Sequence, residues 1–550
     1  MSSRDLLEHY VTDTHGQVFA IKNLQGMVGA VMARYSRTEG GLRETLLREF
    51  IKEEQLNPKK ASRLIERVLI AYGDDSVGEL EGAHLSFESI SMLATKVIEH
   101  RRIGGSPIEQ STRYVRYDFK DEETGYHYYL PESITEEGRK TFAHYMDRIF
   151  DHYSAMWQPL EAFLMKRKPL EEAEYDLAEM GSRYSEMKTP KEQSAFERTW
   201  KNDLKTKTCD ILRSFLPLAT RANVGLFGNG RFFQHLISKM LTSPLKEANT
   251  LGSSALEELT KVIPHYVKRA SRLEYLAEND AAMKVVAAKY FANLDAGRED
   301  NIQLVEPDHG YIAENIGPSP TAQSVRNAQL AEEDLNFHAA MVFGHVRGSF
   351  QQIRETIKAL SPQARMEIMD AYYGNRKARR NRPERGIEYG YPYNFDLVTE
   401  WAVYKDLMRH RMGTIQIQPM APDLGFQMPS ELEEAGLLEM AEETVKLAGE
   451  LYHFLAEHHP DEREYAMLQG HRVRWSLAMN DRALMHLVEL RSAPQGHINY
   501  RRAAQDMHRL AGERFPHRAE RMSFVNYEES YWSRSQSEAR QRVKESQLEE

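Results

Sequence analysis

Two short patterns occur twice in this chain, in the same order, and that self-similarity limits the fold more than any single motif does. Asn229-x-Arg231-x-x-x-His235-Leu236 returns as Asn480-x-Arg482-x-x-x-His486-Leu487. Ahead of each lies a basic helix end, Glu99-His100-Arg101-Arg102 in one half and Arg409-His410-Arg411 in the other. A chain of 550 residues has room for two or three domains with an ample core. The repeat argues for two related domains joined in tandem by internal duplication.

The first basic end feeds a distinctive turn. His84 to Arg102 reads as one long amphipathic helix, broken by Gly104, Gly105 and Pro107. Glu109-x-Ser111-x-Arg113-Tyr114 comes directly after it. His100, Arg101, Arg102, Arg113 and Arg116 thus gather with the hydroxyls of Ser111 and Thr112 around glycines. Freed backbone amides, a hydroxyl and forked guanidiniums are groups that hold a phosphate. A solvated basic helix end is the plainer reading of the same residues.

Elsewhere the periodicity is mostly helical. Residues 16–72 read as helices, including Leu42 to Glu54, and Tyr72 to Glu79 as a turn in which Ser76 caps the next helix. In the helical stretch Glu132–Lys207, Phe142, Tyr145, Met146, Phe150, Tyr153 and Trp157 are assigned to packing. A further helix is expected to begin at Asn394 and to end in Arg409-His410-Arg411. The expected domains are 1–292 and 335–532, with a linker or boundary at 293–334 and a disordered tail at 533–550.

Composition narrows the function. The net charge of −10 argues against a general nucleic-acid binder, and local basic clusters in an acidic chain suit a small anionic ligand instead. The single cysteine, Cys209, excludes a disulfide framework and a multi-cysteine zinc site, and it reads as a buried small hydrophobe. His453, His458 and His459 lack a ligand spacing and fit a solvated helix end, so no metal is expected. The basic run Arg376 to Gly386 reads as a solvated loop or as a face for a polyanionic tail or RNA. No apolar leader or membrane-length apolar run is present, which makes the cytoplasm the expected compartment.

The turn resembles the signature of flavin-dependent thymidylate synthases, the thymidylate synthase complementing proteins. That signature has Arg-His-Arg at a helix end, seven residues, then a Ser-x-Arg-Tyr sequence. The first half matches its latter part at Ser111, Arg113 and Tyr114 but has Glu99 in place of the first Arg. Arg213-x-x-Leu216-Pro217, sixteen residues before Asn229, matches a second family pattern. The halves depart from the family in different places. The second keeps Arg409-His410-Arg411 and, eleven residues past Asn480, Arg491, where the first half has Met240. It has Pro419 and Ala421 where the first half has Ser111 and Arg113, and Glu464 where Arg213 would correspond.

Because the losses are complementary, one composite site is expected; decay of both copies, which would give overlapping or random losses, is the alternative. The resemblance implies a helix-rich α/β (α+β) fold of two homologous domains, and reductive methylation of deoxyuridylate to thymidylate with FAD, methylenetetrahydrofolate and NADPH. By resemblance, Glu109, Ser111, Arg113, Tyr114, Arg213, Arg409 and Arg491 bind the nucleotide, with Arg491, Arg409 and Ser111 catalytic. His410, Arg411, Asn480 and Arg482 would bind the flavin. Asn229, Arg231, His100, Arg101 and Ser76 would form a second flavin edge. A homodimer would supply the four domains of the family's tetramer, with no membrane or nucleic-acid partner. Alkylation of another uridine nucleotide or of a nucleic-acid base, or non-catalytic binding of nucleotide or flavin, are the alternative readings.

Overall fold

The computed structural model describes residues 3–539 apart from 16, 18, 25–26, 36–40, 53–54, 57–76, 101–102, 123–124, 177–181, 298–300, 380, 533–534 and 536–538. In chain order, the first half contributes β1 (Gly82–Ser91), α1 (Met92–Glu99), β2 (Gly105–Glu109), α2 (Glu136–Arg167), α3 (Pro190–Leu212), β3 (Arg221–Asn229), α4 (Gly230–Thr242) and α5 (Lys246–Val262). The second contributes β4 (Asn301–Leu304), α6 (Ala322–Val342), α7 (Phe350–Ala359), β5 (Tyr393–Glu400), α8 (Trp401–Leu407), β6 (Thr414–Ile417), α9 (Leu438–His458), β7 (Arg472–Met479), α10 (Asp481–Arg491) and α11 (Ile498–Arg514). The fold is therefore helix-rich α+β with small sheets. None of the described helices is long and apolar enough to cross a membrane.

Two compact units form, and neither is one continuous half. Met1–Gln110 with Ala222–Glu274 make the first unit, and Ser111–Arg221 with Tyr275–Glu550 make the second. Within 293–334 the chain carries β4 and the start of α6, in which Ala328 is buried.

In the first unit β3 lies between β1 and β2. β2 and β3 run antiparallel with Gly105 opposite Gly228 and Glu109 opposite Val224. The paired glycines have a steric cause: a Cβ on either would run into the ring of Phe232, which is itself 2% exposed. Asn229 ends β3 and its side chain accepts the Phe232 amide, which caps α4.

In the second unit the sheet order is β6-β7-β5-β4, antiparallel throughout. Strand, short helix, strand, and later strand then capped helix, recur here in the same order as in the first half. β7 lies between β5 and β6 as β3 lies between β1 and β2. Ile417 faces Trp475 as Glu109 faces Val224, and setting Asn480 on Asn229 superimposes those two pairs. By that register Pro419 and Ala421 hold the places of Ser111 and Arg113. α2 and α3 are long because each has a Thr cap and an apolar stripe. Phe142, Met146, Phe150, Tyr153 and Trp157 are buried on α2, as their spacing predicts, and Tyr145 is half-buried.

Two expected helices begin as strands instead. His84 to Arg102 divides into β1 and α1, and the stretch from Asn394 is β5 followed by α8. Ala83, Phe87, Ile90, Ala94 and Ile98 are all buried, and their spacing of three and four mimics a helix. Ser89 explains the mimicry. Its φ of 56° breaks the strand's alternation, and Asn223 holds its amide at 2.9 Å, so the buried face changes phase within β1. β5 is buried on nearly all its residues, which leaves no period-2 signal to read. Leu42 to Phe50 is helical, ending in a π turn, but Ile51–Lys52 pair with Gln55–Leu56 as a hairpin. The expected helices over 57–72 lie outside the described residues.

Candidate functional site

The second unit builds a buried cluster of arginines and carboxylates from segments far apart in sequence. After β2 the chain turns at Ser111, whose Oγ accepts the Arg113 amide at 3.3 Å and whose carbonyl accepts the Tyr114 amide at 3.2 Å. This turn sends Arg113 inward. Its Nε and Nη2 donate to the two oxygens of Asp210, on the last turn of α3, at 2.5 and 2.6 Å, and Nη1 donates to the Gln495 carbonyl at 3.3 Å. Arg113 is 6% exposed and Asp210 7%.

Arg213 follows α3 on a single 3-10 turn and is 3% exposed. It lies 3.4 Å from Asp406 and 4.0 Å from Glu400, both on the β5–α8 segment. Asp406 also accepts from Arg409, one residue past the C-cap of α8, at 2.5 Å. Arg491 ends α10, donates through Nε to His410 Nε2 at 2.8 Å, and lies over the Tyr500 ring at 5.6 Å. His497 caps α11, and its Nε2 lies 3.3 Å from the Asp210 carbonyl while Nδ1 accepts the Asn499 amide. Arg113 and Arg213 of the first half thus join Arg409 and Arg491 of the second. A cleft of about 370 Å³ borders the cluster at Asp210 and His497, with Lys207, Ser214, Glu431 and Tyr531 among its walls.

Electrostatics sorts these groups. Burial alone would raise the Asp406 carboxyl, but Arg409, Arg213 and Arg491 outweigh it and hold Asp406 well below the usual carboxylate range. At Asp210, burial is likewise outweighed by Arg113, and burial of Arg113 is outweighed by Asp210, which raises that guanidinium above its ordinary value. Arg491 behaves in the opposite way. Burial lowers it, the attraction of Asp406 does not restore it, and no ion pair joins it to a carboxylate among the described residues. His497 is pushed down to about 3 by burial and then by Arg213, so it is neutral.

The remaining expected residues divide between the units. Glu109 ends β2 in the first unit and accepts from Thr95 Oγ1 at 3.3 Å. Tyr114 is 38% exposed. His100 Nδ1 lies 3.4 Å from Lys239 Nζ, and Arg231 pairs with Glu79. Asn229 and Asn480 both cap the helices that follow them. Ser76 and Arg101 lie outside the described residues. Arg411 and Arg482 are exposed at the end of the sheet where Thr414 pairs with Ala478, beside Met412, which is 69% exposed.

That edge fits a flavin: exposed guanidiniums suit its pyrophosphate, and an apolar side chain suits its planar rings. No ion pair ties Arg482 down among the described residues. At the corresponding place in the first unit, Arg231 is neutralised by Glu79 and Ile103 is the exposed apolar residue.

Asp210, Asp406, Glu400, His497 and Tyr500 were not singled out from the sequence. A weak signal exists for two of them. Asp210 and Asp406 each stand three residues before an arginine at a helix end, the spacing of neighbours on one helix face. Cys209 is buried and pushed up to about 12, first by burial and then by Asp210, so it is no thiolate nucleophile. Among the described residues no group of His, Cys, Asp or Glu side chains is arranged to hold a metal ion.

A helix-rich α+β protein that gathers four guanidiniums, Arg113 and Arg213 buried and Arg409 and Arg491 half-buried, around three carboxylates has a concentration of positive charge that suits a small anionic ligand. The chain belongs to the thymidylate synthase complementing protein family, whose model matches residues 24–265 and 377–517. The two matched segments fit a tandem of two such domains. At family level this makes it a thymidylate synthase-type enzyme of a flavin-dependent family. Its relatives include a "UPF0159 protein" of Chlamydia muridarum, 32% identical with 98% of each chain covered. One of Chlamydia pneumoniae is 33% identical, covering 98% of this chain and 97% of its own. One of Thermoplasma acidophilum is 27% identical, covering 94% and 98%.

Proposed function

We propose that this chain is an FAD-dependent thymidylate synthase whose nucleotide site is composed from both halves of an internal duplication. One observation carries the reading. Arg491, from the second half, belongs to the same buried cluster as Arg113 and Arg213 of the first, and it has no carboxylate partner of its own among the described residues. A permanently charged fork held in that state suits a uracil ring, whose carbonyls it polarises so that C5 becomes nucleophilic. Arg409 supports it from the same edge. Ser111 and Arg113 anchor the 5′-phosphate with Tyr114 and Arg213, and such remote binding positions the ring. The repeated strand order and register of the two halves support the duplication, and a homodimer would then supply four domains.

Bound flavin supplies the hydride, with electrons ultimately from NADPH. His410, Arg411, Asn480 and Arg482 would hold it at the second half's edge. In the net reaction C5 of deoxyuridylate loses a proton and gains the one-carbon unit of methylenetetrahydrofolate. A hydride completes the methyl group and tetrahydrofolate leaves.

A second reading has its own support. Arg113 is closed on Asp210 and Arg213 faces Asp406, so both expected phosphate anchors already have internal counter-charges. This favours C5 alkylation of a different uridine ligand, bound less through its phosphate. Calorimetry of the FAD-reconstituted protein against deoxyuridylate, uridylate and deoxyuridine separates the two. Selective binding of deoxyuridylate supports the first reading; equal binding of deoxyuridine and deoxyuridylate supports the second. A protein that takes up neither flavin nor any uridine compound contradicts both.

A further inference from the structure

Asp406 is the carboxylate on which the two halves of the cluster meet. Its Oδ1 accepts from Arg409 of the second half at 2.5 Å and its Oδ2 from Arg213 of the first at 3.4 Å. It is 8% exposed, on a helix of seven residues buried along its whole length. The other acids of the cluster are differently engaged. Asp210 gives both its oxygens to Arg113, and Glu400 stands 4.0 Å from Arg213. Arg491, which has no ion pair among the described residues, feels Asp406 as its main attracting charge.

We infer that Asp406 is the positioning residue of the composite site: one carboxylate sets Arg213 and Arg409 in fixed orientation. The inference deepens the proposed function and rests on it for the identity of the ligand, but not for the arrangement of the arginines. A buried carboxylate shared between guanidiniums fixes each fork by direction as well as by charge. Orientation fixed before the ligand arrives is what makes an electrostatic site effective. Asp406 itself touches no substrate; it acts through the arginines.

Removing a negative charge beside an anion site strengthens anion binding if charge alone matters. If Asp406 positions the arginines, Asp406→Asn weakens it. The expected result is deoxyuridylate binding weaker by about tenfold, with deoxyuridine weakened alongside because Arg409 and Arg491 address the ring. Asp406→Glu keeps the charge but moves the oxygens by one methylene, and it is expected to weaken binding too; it also serves as the readable variant if Asp406→Asn fails to fold.

A ligand-free measurement separates this inference from the proposed function. In full-length protein labelled with ¹³C,¹⁵N-arginine, the Cζ–Nη signals of Arg213 and Arg409, whose Nη nitrogens donate to Asp406, are assigned by their loss in Arg213→Lys and Arg409→Lys. In Asp406→Asn these two signals should move and exchange with solvent faster, while the Arg113 signal, held by Asp210, stays in place. Signals of Arg213 and Arg409 that keep their positions and exchange rates overturn the positioning role, whatever the nucleotide data show. Tighter or unchanged deoxyuridylate binding in Asp406→Asn overturns it as well. If the signals move as expected but the unmodified protein binds no deoxyuridylate, the positioning role stands and the assigned substrate falls.

Discussion

Arg491 donates its Nε proton to His410 Nε2 at 2.8 Å, so a guanidinium without an ion pair among the described residues is aimed by the imidazole of its own half's basic motif. His410 is buried, and its ring lies 5.6 Å from that of His486 at 62°. Nε2 is the acceptor of that bond. Two residues expected to serve different ligands, nucleotide and flavin, are therefore mechanically coupled. His410→Leu should weaken uridine-ligand binding by about 1–2 kcal/mol, roughly tenfold. His410→Gln, which keeps an acceptor, should lose less. Calorimetric titration of both variants checks the order.

Arg113 and Asp210 form a buried bidentate pair, and breaking one side leaves the other charge without compensation. Asp210→Ala should destabilise the protein by about 3–5 kcal/mol, while Arg113→Met with Asp210→Leu should cost far less. Urea denaturation of the single and double variants measures the difference. Equal losses would mean that the pair does not carry its charge buried.

Acid should unfold this protein early. His471 is pushed down to about 4 by burial and His497 to about 3 by burial and then Arg213. In the unfolded chain both take up a proton at about pH 6.5, as free histidine does. Between roughly pH 6.5 and 4 the unfolded state binds more protons, so stability falls as pH falls through that window, by about 1.4 kcal/mol per pH unit for each histidine. Below the usual carboxylate range the depressed Asp406 and Asp210 add to the loss in the same direction. Urea midpoints between pH 7 and 4 test this. His471→Asn keeps an acceptor for the Leu468 amide and should remove the share of the slope that one histidine carries.

Ser535 and Ala539 contribute to stability. Ser535 Oγ donates to Asp203 at 2.7 Å and receives Lys168 Nζ at 3.0 Å, and Lys168 pairs with Asp203 at 2.6 Å. Ser535 is 7% exposed and Ala539 is fully buried. Ending the chain at Trp532 leaves a buried ion pair short of a hydrogen-bonding partner, and it should cost about 1–3 kcal/mol. Thermal melts of the shortened and full chains measure it, with Ser535→Ala expected in between.

The family, the repeat and the helix-rich character were legible in the sequence because they rest on local motifs and on long periodic helices such as α2. The strands β1 and β5 were not. In β1 the left-handed Ser89 shifts the phase of burial to imitate a helix, and in β5 burial on both faces removes alternation altogether. At the site, the basic motif residues Arg113, Arg213, Arg409 and Arg491 were readable one by one. Their partners Asp210, Asp406 and His497 were not, because a carboxylate meets a guanidinium 97 or 193 residues away through tertiary structure that no local pattern encodes. Asn229 and Asn480 show the converse: their spacing drew attention as a ligand motif, and both also do the local work of capping a helix.

The composite site is tested most directly by tritium release from 5-tritiated deoxyuridylate, in the presence of FAD, methylenetetrahydrofolate and NADPH. Release is expected from the unmodified chain and is expected to be lost in both Ser111→Ala of the first half and Arg491→Ala of the second, with both variants folded and still yellow. Release that survives either substitution, or a yellow unmodified protein that releases none, would contradict the composite site.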